Sequence, residues 1–201
     1  MTICDVISWI NTNDGFFSLM LSTIAICISI DAISSQNRAA VFDKRLEIYL
    51  KVENVYNRSA QILKLFDAQK KISKSSLAEL MLDRGSRLYD LAQKVMEKES
   101  QLKKEGEDPI ADPEFDDLAI EYYEYYLQNE DVNAQRQVEL FFKDSVSAKT
   151  SALFDSYSYL KSEFLVAPPD ELNTMIEKIR IAVAAIEEAN SLGKMRKTFP
   201  L

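Results

Sequence analysis

Histidine is absent from the chain. That omission removes Ser-His-Asp and Cys-His nucleophile systems, HExxH zinc sites and the Glu-x-x-His di-iron pattern together. Glycine is scarce: Gly15, Gly85, Gly106 and Gly193 stand far apart. Neither a GxGxxG turn nor a P-loop can be built from them, so phosphate cradling by those backbone motifs is excluded. Cys4 and Cys27 are the only cysteines, the second inside an apolar run. A disulfide framework or a cysteine zinc site is therefore ruled out for the large C-terminal part, which fits a reducing compartment. The prolines fall at Pro109, Pro113, Pro168, Pro169 and Pro200, leaving long stretches without turn chemistry. No enzymatic activity, cofactor or resident metal is expected.

Lys and Arg are missing from residues 1–15, where Asp5 and Asp14 are the charged positions. The run Phe16 to Ile33 follows, interrupted only by Asp31, and then Arg38, Lys44 and Arg45. Such a run reads as one membrane anchor, carried by Phe16, Phe17, Leu19, Leu21, Ile24, Ile28 and Ile30, with Trp9 at interfacial depth. A helix from Gly15 to Ile33 is about 28 Å long at 1.5 Å per residue, and Asp31 in its last turn can reach the headgroups. The early positive charge of Arg38, Lys44 and Arg45 marks the following side as cytoplasmic. A buried core helix is the competing reading, because the strictly uncharged part, Phe16 to Ile30, falls short of the usual span of about 20 residues. A cleaved signal peptide fits poorly, since the n-region carries the wrong sign. Ile26 before Cys27 also speaks against a lipoprotein cleavage site. The expected division is a short extracytoplasmic segment over 1–14, a transmembrane helix over 15–34 and a cytoplasmic helical domain over 35–201.

That domain is expected to be all-α. Val41, Ile48, Val52, Val55, Ile62 and Phe66 recur at helical spacing, so the anchor should continue as one helix toward Lys70. A second helix is expected from Ser76, with Ser76 and Glu79 as a capping box and Leu77 to Leu102 in period. A charged loop, Lys103 to Pro113, should follow as the most mobile connection. Asp112 then caps a third helix with Pro113 at its first position, running to about Gln128. A fourth helix is expected over Val132 to Phe164 and a fifth over Asp170 to Leu192, with Gly193 as its C-terminal cap. Together these make a cytoplasmic bundle of four to five helices.

Charge is segregated along the chain, whose net value is −8. Arg38 to Lys74 holds nine Lys/Arg against four Asp/Glu, whereas Glu105 to Asp131 holds eleven Asp/Glu and no Lys or Arg. A basic membrane-proximal helix is favoured beside anionic headgroups, by about 1 kcal/mol per well-placed cation. The acidic stretch is either a solvated face or a docking surface for a basic partner or a neighbouring copy, with Asp112, Asp116, Asp117, Glu121 and Glu124 as its candidate residues. Glu121 and Glu124, at i and i+3, are spaced to share a divalent ion, but acidic residues in and after a first turn also serve the helix dipole. Phe115, Leu118, Tyr122 and Tyr125 or Tyr126 make a core-facing stripe. Direct nucleic-acid binding is not expected, because beyond the membrane-proximal helix the basic residues reduce to the Lys194, Arg196, Lys197 tail. The expected partners are the lipid bilayer and a protein, either another copy or a different chain.

From Trp9 through the apolar run to Gln36-Asn37-Arg38-Ala39-Ala40-Val41-Phe42-Asp43-Lys44-Arg45-Leu46-Glu47-Ile48-Tyr49, the chain resembles small bacterial inner-membrane proteins. In these an N-terminal anchor runs into a Phe-Asp-Lys-Arg-Leu-Glu-Ile-Tyr-like helix. They are similar to membrane effectors of antiphage defence loci, including those paired with retron-type reverse transcriptases. The resemblance covers about the first 55 residues, a quarter of the chain. It implies a single-pass inner-membrane protein, N-terminus outside, acting in abortive infection by disrupting the membrane. The commoner effector pattern has two membrane helices, and Ile179 to Ile186, bounded by Glu177, Lys178, Glu187 and Glu188, is too short to be the second. A non-enzymatic tethered scaffold or sensor is the other reading.

Overall fold

A computed structural model describes residues 2, 8–9, 14–129 and 133–199. Among these residues every regular element is helical and no strand is present. The first helix, α1, runs Asp14–Gln69, the long helix expected from the apolar spacing and the absence of breakers. Lys70 ends it in a left-handed conformation, φ 59°, with its N–H on the carbonyl of Phe66 at 2.8 Å. The chain divides into two compact units, Met1–Leu46 and Glu47–Leu201.

Among the described residues seven more helices lie in the second unit: α2 (Lys74–Met81), α3 (Arg87–Glu105), α4 (Pro113–Asn129), α5 (Asn133–Phe141), α6 (Asp144–Glu163), α7 (Pro169–Glu188) and α8 (Ser191–Arg196). The expectation of four to five helices is therefore too coarse, and each extra break has a local cause. Ser73, not Ser76, caps α2: its hydroxyl accepts from the Ser76 N–H at 3.1 Å. The expected second helix stops at Met81, because Asp83 to Ser86 forms a turn with Gly85 at φ 82°, where a side chain is disfavoured. Ser86 then caps α3 through the Tyr89 N–H. The expected loop from Lys103 is instead helical to Glu105, capped by left-handed Gly106, and Pro109–Ala111 forms a 3-10 turn.

The expected helix from Val132 to Phe164 is broken at Phe142 and Lys143. No glycine or proline marks that break. Phe142 is buried there beside Val138 and Val146, against Ile48, Val52 and Met195. Gly193 is not the expected cap. Asn190, left-handed at φ 49°, ends α7, and Gly193 lies inside α8 with the Asn190 side chain where its Cβ would stand.

Within the second unit, α1 supplies Ile48, Val52, Ile62 and Leu63 to the core. α7 lies antiparallel to it, fixed by the Tyr56 hydroxyl donating to Glu187 at 2.7 Å and by Arg180 forked onto Asp67 at 2.6 and 3.1 Å. The Glu187 contact and burial push the Tyr56 phenol up to about 12. Arg58, also on α1, donates to the Met81 carbonyl at 2.5 Å and to Asp83 at 2.6 Å, closing the C-terminus of α2. α3 and α4 pair antiparallel, as do α4 and α6, through Tyr122 and Tyr126 donating to the carbonyls of Lys161 and Ser158. The main core gathers α2, α3, α4, α6 and α7 around Leu77, Val95, Leu153, Leu160, Phe164 and Ile176.

One charged pair is held close to this core. Lys74 donates to both Glu99 oxygens, at 2.9 and 3.0 Å, and to the Leu165 carbonyl at 2.5 Å. The Glu99 side chain is 13% exposed. Burial pulls its carboxyl pKa up, but the ammonium groups of Lys103 and Lys74 outweigh that and hold it below its ordinary value of 4.5. A carboxyl depressed on folding contributes stability above its unfolded pKa and loses it as pH falls through the folded value. Glu99→Gln is expected to flatten the fall of stability below pH 4.5 in urea titrations. Lys74→Met should cost about 2 kcal/mol at pH 7 with an unchanged denaturant slope.

Candidate membrane segment and acidic face

The N-terminal part of α1 is exposed on all sides: every described side chain from Ser18 to Val41 lies open. Met20, Leu21, Ile24, Ile26, Ile28, Ile30 and Ile33 are 47 to 67% exposed. At 100° per residue these seven positions take up most of the helix circumference and leave a sector of about 120° that holds Ser22, Ala25, Ser29 and Ala32. Large apolar side chains exposed over so much of a helix favour an apolar surrounding. Two of its exposed polar side chains bond back to the helix: Ser22 and Ser29 donate to the carbonyls of Ser18 and Ala25 at 2.8 and 2.7 Å. Such back-bonding satisfies a hydroxyl without solvent.

Trp9 is exposed, and Phe16, Phe17 and Leu19 belong to positions whose side chains fall outside the described set. Among the described residues no helix is long and apolar enough to cross a membrane. Asp31 lies exposed on α1. Arg38 is exposed, with its Nε on the Ser34 carbonyl at 3.4 Å, whereas Lys44 and Arg45 are half-buried.

The acidic candidates are split by the fold rather than gathered. Asp112 is the cap of α4, accepting from the Phe115 N–H at 2.8 Å, and stands 3.6 Å from Lys98. Lys98 also holds Glu114. Glu121 is paired with Arg87 at 3.1 Å, and the Arg87 guanidinium lies 5.0 Å over the Tyr125 ring. These cations come from α3, so the acidic stretch is partly neutralised by its antiparallel neighbour. Sequence spacing alone hides this, although Arg87 and Lys98 share one face of α3.

Asp116, Asp117 and Glu124 are exposed, and among the described residues no cation pairs with them. Between them Ile120, Tyr123 and Leu127 are 43 to 50% exposed. Spaced at three and four residues, they form an apolar stripe on the outer side of α4, which no composition count reveals. The inner side is the expected stripe: Phe115, Tyr122 and Tyr126 are buried and Leu118 and Tyr125 partly so, with Tyr122 edge-on to Phe164 at 6.1 Å. Among the described residues no three acidic or cysteine side chains converge as a metal site.

Comparison with protein-family models, with curated proteins and with solved structures yields no match.

The two groups of acids should separate on mutation. Asp112→Ala, losing a cap and an ion pair, is expected to lower the unfolding free energy by about 1–2 kcal/mol. The triple change Asp116→Asn, Asp117→Asn, Glu124→Gln should stay within about 0.5 kcal/mol of the parent or rise above it. Urea melts of both variants check this.

Proposed function

We propose that the protein is a membrane-anchored helical effector of a bacterial antiphage system, acting by abortive infection through disruption of the inner membrane. The observation that supports the membrane part is the exposure of seven large apolar side chains on α1 from Met20 to Ile33. Seven Ile, Leu and Met side chains at about 1.5–3 kcal/mol each, discounted for partial exposure, favour leaving water by on the order of 10 kcal/mol. The opposing cost of Asp31 is about 3 kcal/mol at a bilayer centre and less near a helix end. Transfer to lipid wins. In this reading the run is completed by Phe16, Phe17 and Leu19, Trp9 sits at the outer interface, and Arg38, Lys44 and Arg45 hold the cytoplasmic side.

The effector part is supported by the resemblance of residues 9–49 to inner-membrane effectors. The second unit is held by a partner or a signal until release lets several anchors cluster. Ser18, Ser22, Ser29 and Asp31 are the polar groups available along the anchor, and contacts of this kind contribute about 1 kcal/mol each.

A second reading, a tethered scaffold or sensor, draws on the outer side of α4. Ile120, Tyr123 and Leu127, flanked by unpaired Asp116, Asp117 and Glu124, match an amphipathic basic segment of a protein partner.

The first measurement is membrane fractionation of tagged protein with an alkaline wash and protease protection of both termini in spheroplasts. Retention with the C-terminus inside is expected, and the double variant Ile24→Asp, Ile28→Asp should move to the soluble fraction. Expression without a partner should then depolarise cells. An anchored protein that leaves the membrane potential normal at high expression sinks the effector reading and leaves the scaffold.

A further inference from the structure

The break between α7 and α8 decides which way the C-terminal residues face. On α7 the buried positions Leu172, Ile179, Val183 and Ile186 form one stripe. Continued straight at 100° per residue, the helix would carry Leu192, Met195 and Phe199 to about 180–240° from Ile186, on the side away from that stripe. These three stand at i, i+3 and i+7, so on a continuous helix they make one apolar side turned out of the unit. The break instead folds α8 back. Met195 is fully buried with Ile48, Val52, Val138 and Val146, and Phe199 meets Tyr49 edge-on at 5.5 Å.

Two residues permit this return. Asn190 is left-handed at φ 49°, a conformation that is costly for a residue with a side chain. Gly193 leaves room for the Asn190 side chain, which lies where a Cβ would stand. Beyond its apolar contacts, α8 is weakly held. Its six residues are too few for a stable isolated helix. Among the described residues no α8 side chain has a hydrogen bond or ion pair to another helix. The Ser191 hydroxyl is buried with no hydrogen-bond partner among the described residues, which disfavours the folded-back form. A continuous helix offers that hydroxyl the Glu187 carbonyl four residues back.

We propose that α8 exchanges between two copies of this chain. In the exchanged pair α7 and α8 straighten into one helix, and the Leu192, Met195 and Phe199 side of each copy fills the apolar groove between α1, α5 and α6 of the other. The occupant is a second copy because the groove already fits this segment: an identical α8 restores the contacts of Met195 with Ile48, Val52 and Val146 and needs no new complementary surface. Exchange relieves the left-handed Asn190 while the same apolar side chains stay buried. The proposal concerns the second unit alone and does not rest on the membrane reading.

The test uses the full chain with Cys4→Ser and Cys27→Ser. One tagged copy carries Tyr49→Cys and a differently tagged copy carries Phe199→Cys; the two are co-expressed and treated with a short bis-maleimide. A linked pair bearing both tags, absent when either copy is expressed alone, is the expected result. Asn190→Ala and Gly193→Ala penalise the folded-back turn and favour a continuous helix, and each should raise the linked fraction about fivefold. Asn190→Gly accepts the left-handed conformation and should lower it. Absence of the mixed pair overturns the proposal, and a chain carrying both cysteines, linked internally, is the control that the reagent spans the two sites. Linking of either single variant to itself as readily as in the mixture also overturns it, because collision then explains the product. Equal linked fractions for Asn190→Ala and Asn190→Gly overturn it too, since the turn then does not control α8. Should the alanine variants misfold, Asn190→Gly decides alone: a fraction below the parent's supports exchange, and an unchanged one overturns it.

Discussion

The exposed Ile, Leu and Met side chains of α1 from Met20 to Ile33 set it apart from the rest of the fold, in which burial of such side chains supplies the main favourable term. Most surface helices bury one stripe and wet the other. In α1 the polar side between Met20 and Ile33 is narrow, with Ser22 and Ser29 on it, whereas from Glu47 onward Ile48, Val52, Ile62 and Leu63 are buried and the other sides carry Lys51, Asn54, Arg58 and Asp67. One continuous helix therefore carries two different amphipathic programmes. The second is covered by the chain itself; among the described residues nothing covers the first. Back-bonding of Ser22 and Ser29 to their own helix is consistent with the first, because it leaves few polar demands for the surrounding medium to meet.

The second unit depends on the same helix. Arg58 closes the end of α2, Tyr56 and Asp67 dock α7, and Ile48 with Val52 receives Met195 and Phe142. The polar ties are mostly exposed and each contributes little beyond alignment. The apolar contacts supply the larger share: a fully buried Ile, Leu or Phe is worth about 1.5–3 kcal/mol, and Ile62, Leu77, Leu160, Phe164 and Ile176 are all of this kind.

The sequence made the helical class, the long α1, the start of α4 at Asp112-Pro113 and the inward tyrosines legible, because each rests on local periodicity or a cap. The breaks that were missed rest on tertiary demands. The chain breaks at Phe142, which is buried in a second apolar cluster, and no glycine or proline announces that break. Asn190 substitutes for glycine in the left-handed position, and asparagine is the side-chain-bearing residue that tolerates it best. Ser76 matches the capping-box spacing with Glu79, but the backbone turns into the helix three residues earlier, at Ser73. At the acidic stretch, spacing identified the carboxylates but not their partners, since Arg87 and Lys98 arrive from another helix.

That distribution of partners bears on what the acidic face is for. A stretch carrying eleven acids would repel itself if wholly solvated, and the fold relieves this where packing is needed. Lys98 and Arg87 neutralise the acids along the α3–α4 seam, and Asp112 is used as a cap. Among the described residues Asp116, Asp117 and Glu124 on the outer side of α4, beside Ile120, Tyr123 and Leu127, have no cation pairing with them, and neither have Glu105, Glu107 and Asp108 before that helix. An outer helix side kept for solubility alone gains nothing from three large apolar residues in register. Their combination with unpaired acids is the kind of surface that a basic amphipathic helix can meet, with apolar side chains seated on the stripe and cations beside the carboxylates.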